Sequence, residues 1–323
     1  MTRDAIVSAA RQSIARGSKS FAAASHLFAP QTRERAWLLY SWCRACDDMA
    51  DGQDHGHGMR AVDDPMARLA TLQRLTDAAL AGEETGDPPF EALRLVVAET
   101  GLPAAFVRDH LAGFALDAEG WQPQTEHDLL TYCYHVAGVV GCMMAVVMGV
   151  SPDDAVTLDR ACDLGLAFQL ANIARDIDED AGVGRCYLPR AWLAEAGIDP
   201  ARLMAPEYRP ALVALVRRLT DRAEQFEAAA RHGTPALPVR SAWAVLAAAA
   251  IYGDIGRKVA QRGGHAWDAR VSTSRGEKLG AALKAGWQAA RRHALYRGSP
   301  ATESGWHRPM PDPNRLARKE KDD

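Results

Sequence analysis

Two acidic segments, Asp47-Asp48-Met49-Ala50-Asp51 and Asp176-Ile177-Asp178-Glu179-Asp180, carry aspartates four residues apart. On a helix that spacing stacks Asp47 and Asp51 on one face, about 6 Å apart along the axis. In the second segment Asn172, Asp176 and Asp180 extend the spacing into a continuous stripe of oxygen ligands, with Glu179 beside it and Asp178 turned to roughly the opposite side, toward water. Carboxylates held this close repel one another unless a cation sits between them. The chain is therefore constrained to helices that can aim such stripes at a common space.

The remaining sequence agrees with a helical fold. Hydrophobic residues make up 48% and aromatics only 7%, and no segment alternates as a strand would. Punctuation predicts helices over Arg33–Ala50, from Pro65 to near Gly82, over Phe90–Thr100, and from Thr125 to Val150, the last opened by a Thr125-x-x-Asp128 capping box. Ser151–Pro152 predicts the start of a helix running through the second acidic segment, and Asp199–Pro200 repeats the device. Further helices are expected over Pro210–His232, Val239–Arg262 and Arg275–Tyr296. The expected architecture is one all-α domain over residues 1–298, followed by a mobile, charged, proline-containing tail over 299–323.

Bulk properties narrow the function classes. A formal net charge of −3 does not suggest a nucleic-acid binder. Six scattered cysteines in 323 residues are too sparse for a disulfide scaffold, and Met1–Ala15 has no apolar core of a signal peptide. The expected location is the cytoplasm. Val136–Val150 is uncharged but shorter than the roughly 18–20 residues that span a bilayer, so a buried core helix is expected. Residues 270–297 carry seven Lys/Arg against one Glu, with Trp287 and Tyr296. Such a segment reads either as a solvated last helix or as transient contact with an anionic inner membrane face.

Around the acidic stripes the chemistry is that of a bound anion. Trp37 to Tyr40 and Trp42-Cys43 surround the first segment with apolar side chains, so it is read as partly buried. Arg44 lies near the Asp47 face, while Arg175 and Arg185 flank the second stripe, and arginine matches phosphate oxygens bidentately. The Gly182–Gly184 turn allows Arg185 and Tyr187 to fold back over the site. Divalent metal ions held by oxygen ligands, bridged by a diphosphate, satisfy both charges; water and phosphate oxygens as remaining ligands suit Mg²⁺. Cys43-x-x-Cys46 has no second pair and no βαβ context, so it is not read as a zinc or redox motif. His55-Gly56-His57 is read as an exposed loop rather than a metal hook.

These segments, in this order, resemble the squalene/phytoene synthase family, most closely its bacterial phytoene synthases. The resemblance runs through Gly17-Ser18-Lys19-Ser20-Phe21, then Leu39-Tyr40-x-Trp42-Cys43-Arg44-x-x-Asp47-Asp48 and Tyr132-Cys133-Tyr134-His135-Val136-Ala137-Gly138. It continues with Gln169-Leu-x-Asn172-Ile-x-Arg175-Asp176-x-x-Glu179-Asp180, then Gly184-Arg185-x-Tyr187-Leu-Pro189, and weaker echoes at Tyr252 and Arg270-Val271. It implies an isoprenoid-synthase helical bundle with a central cavity, joining two prenyl diphosphates head to head with Mg²⁺, for which Mn²⁺ can substitute. No NAD(P)H is implied for phytoene formation. It further implies Asp47, Asp51, Asn172, Asp176 and Asp180 as metal-linked residues, with Gln169 beside them. Ser18, Lys19, Ser20, Arg44, Arg175, Arg185 and Arg270 would hold diphosphate. Phe21, Tyr40, Tyr132, Val136 and Tyr252 would line the prenyl cavity, Tyr132 and Arg175 acting in catalysis and Tyr187 contacting substrate. The small residues Ala137, Gly138 and Gly141 read either as room for long chains or as close helix packing. Gly52 departs from the family, which commonly has a further aspartate there. Open alternatives are a farnesyl-diphosphate-using squalene, hydroxysqualene or dehydrosqualene synthase, and a non-catalytic assembly protein of the same fold, which should have lost its metal aspartates.

Overall fold

The computed structural model describes residues 1–52, 64–298 and 306–309, apart from the side chains of Lys19, Ser20 and Asp51. The His55-Gly56-His57 motif therefore lies outside the described residues. The described chain is helical, with no strand among those residues. In chain order the helices are α1 (Arg3–Gly17), α2 (Lys19–Ser25), α3 (Pro30–Asp51), α4 (Pro65–Leu80), α5 (Pro88–Thr100), α6 (Ala104–Ala118) and α7 (Glu126–Cys133). They continue with α8 (Val139–Val147), α9 (Ala155–Gly182), α10 (Arg190–Glu195), α11 (Arg209–Ala230), α12 (Val239–Arg262), α13 (Arg275–Ala290) and α14 (Arg292–Leu295).

The punctuation explains most of these boundaries. Asp64 accepts the Ala67 amide at the start of α4, and Thr125 and Asp128 close a reciprocal capping box on α7. Val239–Arg262 forms as expected and stops at Gly263, whose φ of 53° favours glycine. Helices α6 and α10 follow prolines and have no side-chain cap bond, so no start signal marks them in the sequence.

Helix α3 starts at Pro30 rather than Arg33, with the proline at its first turn. Three further boundaries differ from expectation by three residues or more. The helix opened by Thr125 is interrupted by a π turn over Tyr134–Gly138 and ends at Val147 rather than Val150. The extra residue of a π turn shifts the helix face. Here the Tyr134 hydroxyl donates to Asp109 Oδ2 at 2.6 Å, while His135 Nδ1 meets the Asp109 carbonyl at 2.8 Å. The second correction is at α9, which starts at Ala155 rather than at Ser151–Pro152, because Asp154 caps it by accepting the Thr157 amide. The last helix breaks after Ala290; Arg292 there donates to the carbonyls of Ala289 and Leu237 at 2.9 and 3.2 Å.

Helix α9 is the central pillar. It packs against α8, the π turn, α11 and α12, and buries Leu158, Cys162, Leu166, Leu170, Ile173 and Ile177. Helix α3 is held between α1 and α5, and α12 carries α13 on its outer side. The stretch Glu126–Val147 is long and apolar enough to cross a membrane, but 67% of its apolar window is buried within the fold, as a core helix requires. Within the segment expected to be a mobile tail, residues 306–309 pack on the bundle. Trp306 is buried 6.2 Å from the Tyr134 ring, and Arg308 Nε donates to Asp159 Oδ1 at 2.9 Å.

Glu91 ties the α4–α5 turn to the core. Although buried, its carboxylate accepts from the Thr85 amide at 2.5 Å, the Thr85 hydroxyl at 3.1 Å and Arg94 Nη2 at 2.7 Å. Burial pushes the carboxyl up, but Arg94 and the Thr85 donors outweigh it and hold it at about 2. A depressed carboxyl stabilises the fold above the ordinary value near 4.5, and that contribution fades as the pH falls toward 2. Glu91→Gln is therefore expected to cost about 3 kcal/mol at pH 7 and markedly less at about pH 3, measured by urea unfolding at both values.

Candidate active site

One face of α9 organises the site. Thr157, Ala161, Leu164, Gly165, Phe168, Gln169 and Asn172 line a cavity of about 380 Å³, a sequence span of about 22 Å along the helix axis. The same face continues as Asp176 and Asp180, one and two turns beyond Asn172. The cavity is therefore a mostly apolar tunnel leading toward an acidic end. From α3, Tyr40, Cys43 and Asp47 enter it; Val136, Val140 and Met144 come from the π turn and α8, and Tyr252 from α12. Phe21 and Tyr40 meet at 5.5 Å between ring centroids, and Phe168 stacks on Tyr252 at 4.5 Å. Gly17 leaves room for the Tyr40 hydroxyl, since a Cβ there would lie 2.5 Å from it.

Cations meet the acidic stripe from two segments of the chain. Arg175 Nε donates to Asp176 Oδ1 at 2.7 Å and its Nη2 to Oδ2, a bidentate pair. Arg270 reaches across from the segment after α12, pairing with Asp176 at 3.2 Å and with Glu179. Arg44 Nη1 stands 3.5 Å from Asp47 and 3.9 Å from Asp48. Gly184, at φ 77°, turns the chain so that the Arg185 amide donates to the Asp180 carbonyl at 2.9 Å. Burial pushes the Asp180 carboxyl up to about 7; the Asp176 carboxylate adds to the shift and Arg185 opposes it. Asp178 is exposed, as its position on the helix predicts.

Among the described residues, no three His, Cys, Asp or Glu side chains converge closely enough to hold a metal ion. The donor chemistry nevertheless fits a hard divalent cation. Asp47 and Asn172 enter one cavity from two helices, and the crowding of Asp176, Glu179 and Asp180 is what added positive charge relieves. The Asp51 side chain lies outside the described residues, as do those of Lys19 and Ser20. Ser18 caps α2 by accepting the Phe21 amide at 3.2 Å.

Tyr132 departs from its expected place on the cavity wall. It is buried away from that wall, its ring between Trp121 at 5.7 Å and Tyr187 at 4.9 Å. Its hydroxyl donates to Asp117 Oδ2 at 2.9 Å, and the Tyr187 hydroxyl donates to Asp117 Oδ1 at 3.0 Å. Burial and the Asp117 carboxylate raise both phenols above their ordinary range, so both keep their protons at neutral pH. Sequence reasoning misses Asp117. Its one signal is an acid closing the apolar run Phe114-Ala115-Leu116 on a helix that carries no strong punctuation. His110 is missed too. It lines the cavity, meets the His135 carbonyl through Nδ1 at 3.0 Å, and is held by burial at about 4, hence neutral at pH 7.

The two readings of the small residues both hold. Ala137 and Gly141 line the cavity, while a Cβ on Gly141 would lie 2.2 Å from the Ala161 carbonyl oxygen and one on Gly138 would lie 2.9 Å from Cys162 Sγ. All six cysteines are free thiols.

A helical bundle whose central pillar joins an apolar tunnel to a cation-flanked acidic stripe is the architecture of isoprenoid synthases. Residues 14–277 match the family model described as squalene/phytoene synthase, and the chain belongs to that family of prenyltransferases. It is 47% identical over 312 residues to the phytoene synthase of Pseudescherichia vulneris, covering 96% of this chain and 100% of the relative. It is 46% identical to the 15-cis-phytoene synthase of Pantoea ananas, with the same coverage. Among solved structures, a ligand-bound dehydrosqualene synthase superposes with a TM-score of 0.78 at 28% identity, covering 87% of this chain and 95% of that one.

Proposed function

We propose that this prenyltransferase is a phytoene synthase, joining two geranylgeranyl diphosphates head to head in carotenoid biosynthesis, and that residues 1–298 form its catalytic unit. The supporting observation is the continuity of the α9 face, from the apolar tunnel at Thr157–Phe168 to the acidic stripe at Asn172–Asp180. An amphiphile with a long hydrocarbon chain and an anionic head matches that gradient. The names of the relatives at 46–47% identity add the substrate class.

In this reading Asp47, Asp51, Asn172, Asp176 and Asp180 hold Mg²⁺, which when bound supplies the fixed positive charge that stabilises the departing diphosphate. Arg44, Arg175, Arg185 and Arg270 grip diphosphate oxygens, with Ser18, Lys19 and Ser20 at the mouth of α2. Loss of the first diphosphate leaves an allylic cation; the second prenyl double bond attacks it, and loss of a proton from the adduct closes the ring of a cyclopropyl diphosphate. Loss of the second diphosphate, rearrangement and a second proton loss complete phytoene. Tunnel walls such as Phe21, Val136 and Phe168 exclude the water that would quench either cation. Asp117 holds the Tyr132 and Tyr187 hydroxyls together, away from the tunnel wall. Six free thiols and a basic last helix support residence in the cytoplasm, with transient contact at the membrane's inner face.

Purified protein incubated with Mg²⁺ and either geranylgeranyl or farnesyl diphosphate is expected to yield phytoene from the former. Extraction and mass spectrometry identify the product, and chelation should abolish it while Mn²⁺ partly restores it. Turnover of the farnesyl substrate alone, giving a C30 hydrocarbon, would assign the chain to the squalene or dehydrosqualene branch instead.

A further inference from the structure

Helix α13 turns an unusual face outward. Leu279, Leu283 and Trp287 are spaced four residues apart and are 63%, 66% and 54% exposed. They form one apolar stripe along two turns of helix. Exposed cations flank it at Arg275, Lys284 and Arg291, the last with its guanidinium 5.3 Å from the Trp287 ring centroid. Glu277 is the one carboxylate on the helix; it is engaged by Lys258 Nζ at 2.7 Å and by the Ser274 amide. The helix is firmly seated beneath this face, since Trp243 Nε1 of α12 donates to the Ala282 carbonyl at 2.8 Å. Its exposed apolar residues are therefore a fixed property of the surface.

We infer that the outward face of α13 is a docking surface for anionic phospholipid bilayers, Leu279, Leu283 and Trp287 entering the headgroup boundary and the flanking cations meeting lipid phosphates. Two physical arguments select this occupant. A basic helix with a narrow apolar stripe and an indole matches the charge and polarity gradient of such an interface. A second copy of the chain matches poorly, because a two-fold contact sets each face against itself and would oppose Arg275, Lys284 and Arg291 to the same cations. The catalytic reading gives the surface its use, for a substrate with a greasy tail and a product with no polar group must enter and leave through lipid. Docking itself is measured without substrate, so its failure and that of the catalytic reading are separate results.

The test is flotation of the full chain with vesicles of phosphatidylcholine, with and without phosphatidylglycerol. The wild-type chain should float with the anionic vesicles, less so as salt is raised, and only weakly with the neutral ones. The triple change Leu279→Ser, Leu283→Ser, Trp287→Ser should lower partitioning at least about ten-fold. Lys284→Gln with Arg291→Gln should lower it about ten-fold on anionic vesicles and leave neutral ones unchanged. Unchanged urea midpoints, and unchanged turnover of detergent-dispersed substrate, would show that the variants are folded. Equal flotation of wild type and triple variant would overturn the proposal, as would no flotation of wild type. So would sedimentation showing a wild-type dimer that the triple variant dissolves, which would make the occupant a second copy.

Discussion

Replacing Asp176 with asparagine is expected to lower kcat on the order of 10³-fold, with little change in fold. Asp176 stands between Arg175 and Arg270, and its neighbours along the face are Asn172 and Asp180. Asparagine keeps the shape but removes the charge, so a metal there loses an anionic ligand and two arginines lose their shared partner. The loss should fall on the ionisation step, because fixed charge at the leaving group is what that step lacks in water. The Mg²⁺ concentration for half-maximal rate should rise in parallel. Asp178→Asn is the internal comparison. It removes the same charge two residues away, from an exposed position, and should change kcat by less than about two-fold. Steady-state rates with geranylgeranyl diphosphate across a Mg²⁺ titration separate the two. Full activity in the Asp176 variant would remove the metal–diphosphate reading.

That contrast between Asp176 and Asp178 is legible in the sequence, and the reason is periodicity. A helix converts spacing into facing with little help from the rest of the fold, so spacing alone groups Asn172, Asp176 and Asp180. The capping box at Thr125 and the stop at Gly263 are likewise local, and they appear where their residues put them. What escapes the sequence is set by distance in space. The π turn at Tyr134–Gly138 follows from how α6 and α9 press on that segment through Asp109 and Gly165. Asp117 is 15 residues from Tyr132 and 70 from Tyr187, so nothing in the local pattern announces that one carboxylate receives both phenols. The family resemblance puts Tyr132 on the cavity wall; the fold turns its hydroxyl to Asp117 instead. Arg270 is 94 residues from Asp176, and only the family motif, which carries an arginine there, nominates it.

The largest stability effect is expected at Gly165, where Ala should cost about 3 kcal/mol or more. A Cβ built there would lie 2.2 Å from the Ala137 carbonyl oxygen, 2.6 Å from the Ala137 carbonyl carbon and 2.6 Å from Gly138 Cα. All three are backbone atoms, so no side-chain rotamer can relieve the clash; α9 must move off the π turn. Such a shift would loosen the paired contacts of Gly141 with Ala161 and of Gly138 with Cys162, which use the same close crossing. It would also change the tunnel, because Gly165, Ala137 and Gly141 all line it. Ala at Gly280 provides the opposite case. That glycine lies on the exposed side of α13 with nothing within 4 Å of its would-be Cβ, so the same methyl group should stabilise the protein by about 0.5–1 kcal/mol through the unfolded chain. Urea midpoints of the two variants, compared with wild type, should move in opposite directions. If Gly165→Ala unfolds at the wild-type midpoint, the α9 crossing is looser than these distances require, and the tunnel would owe its width to something other than backbone contact.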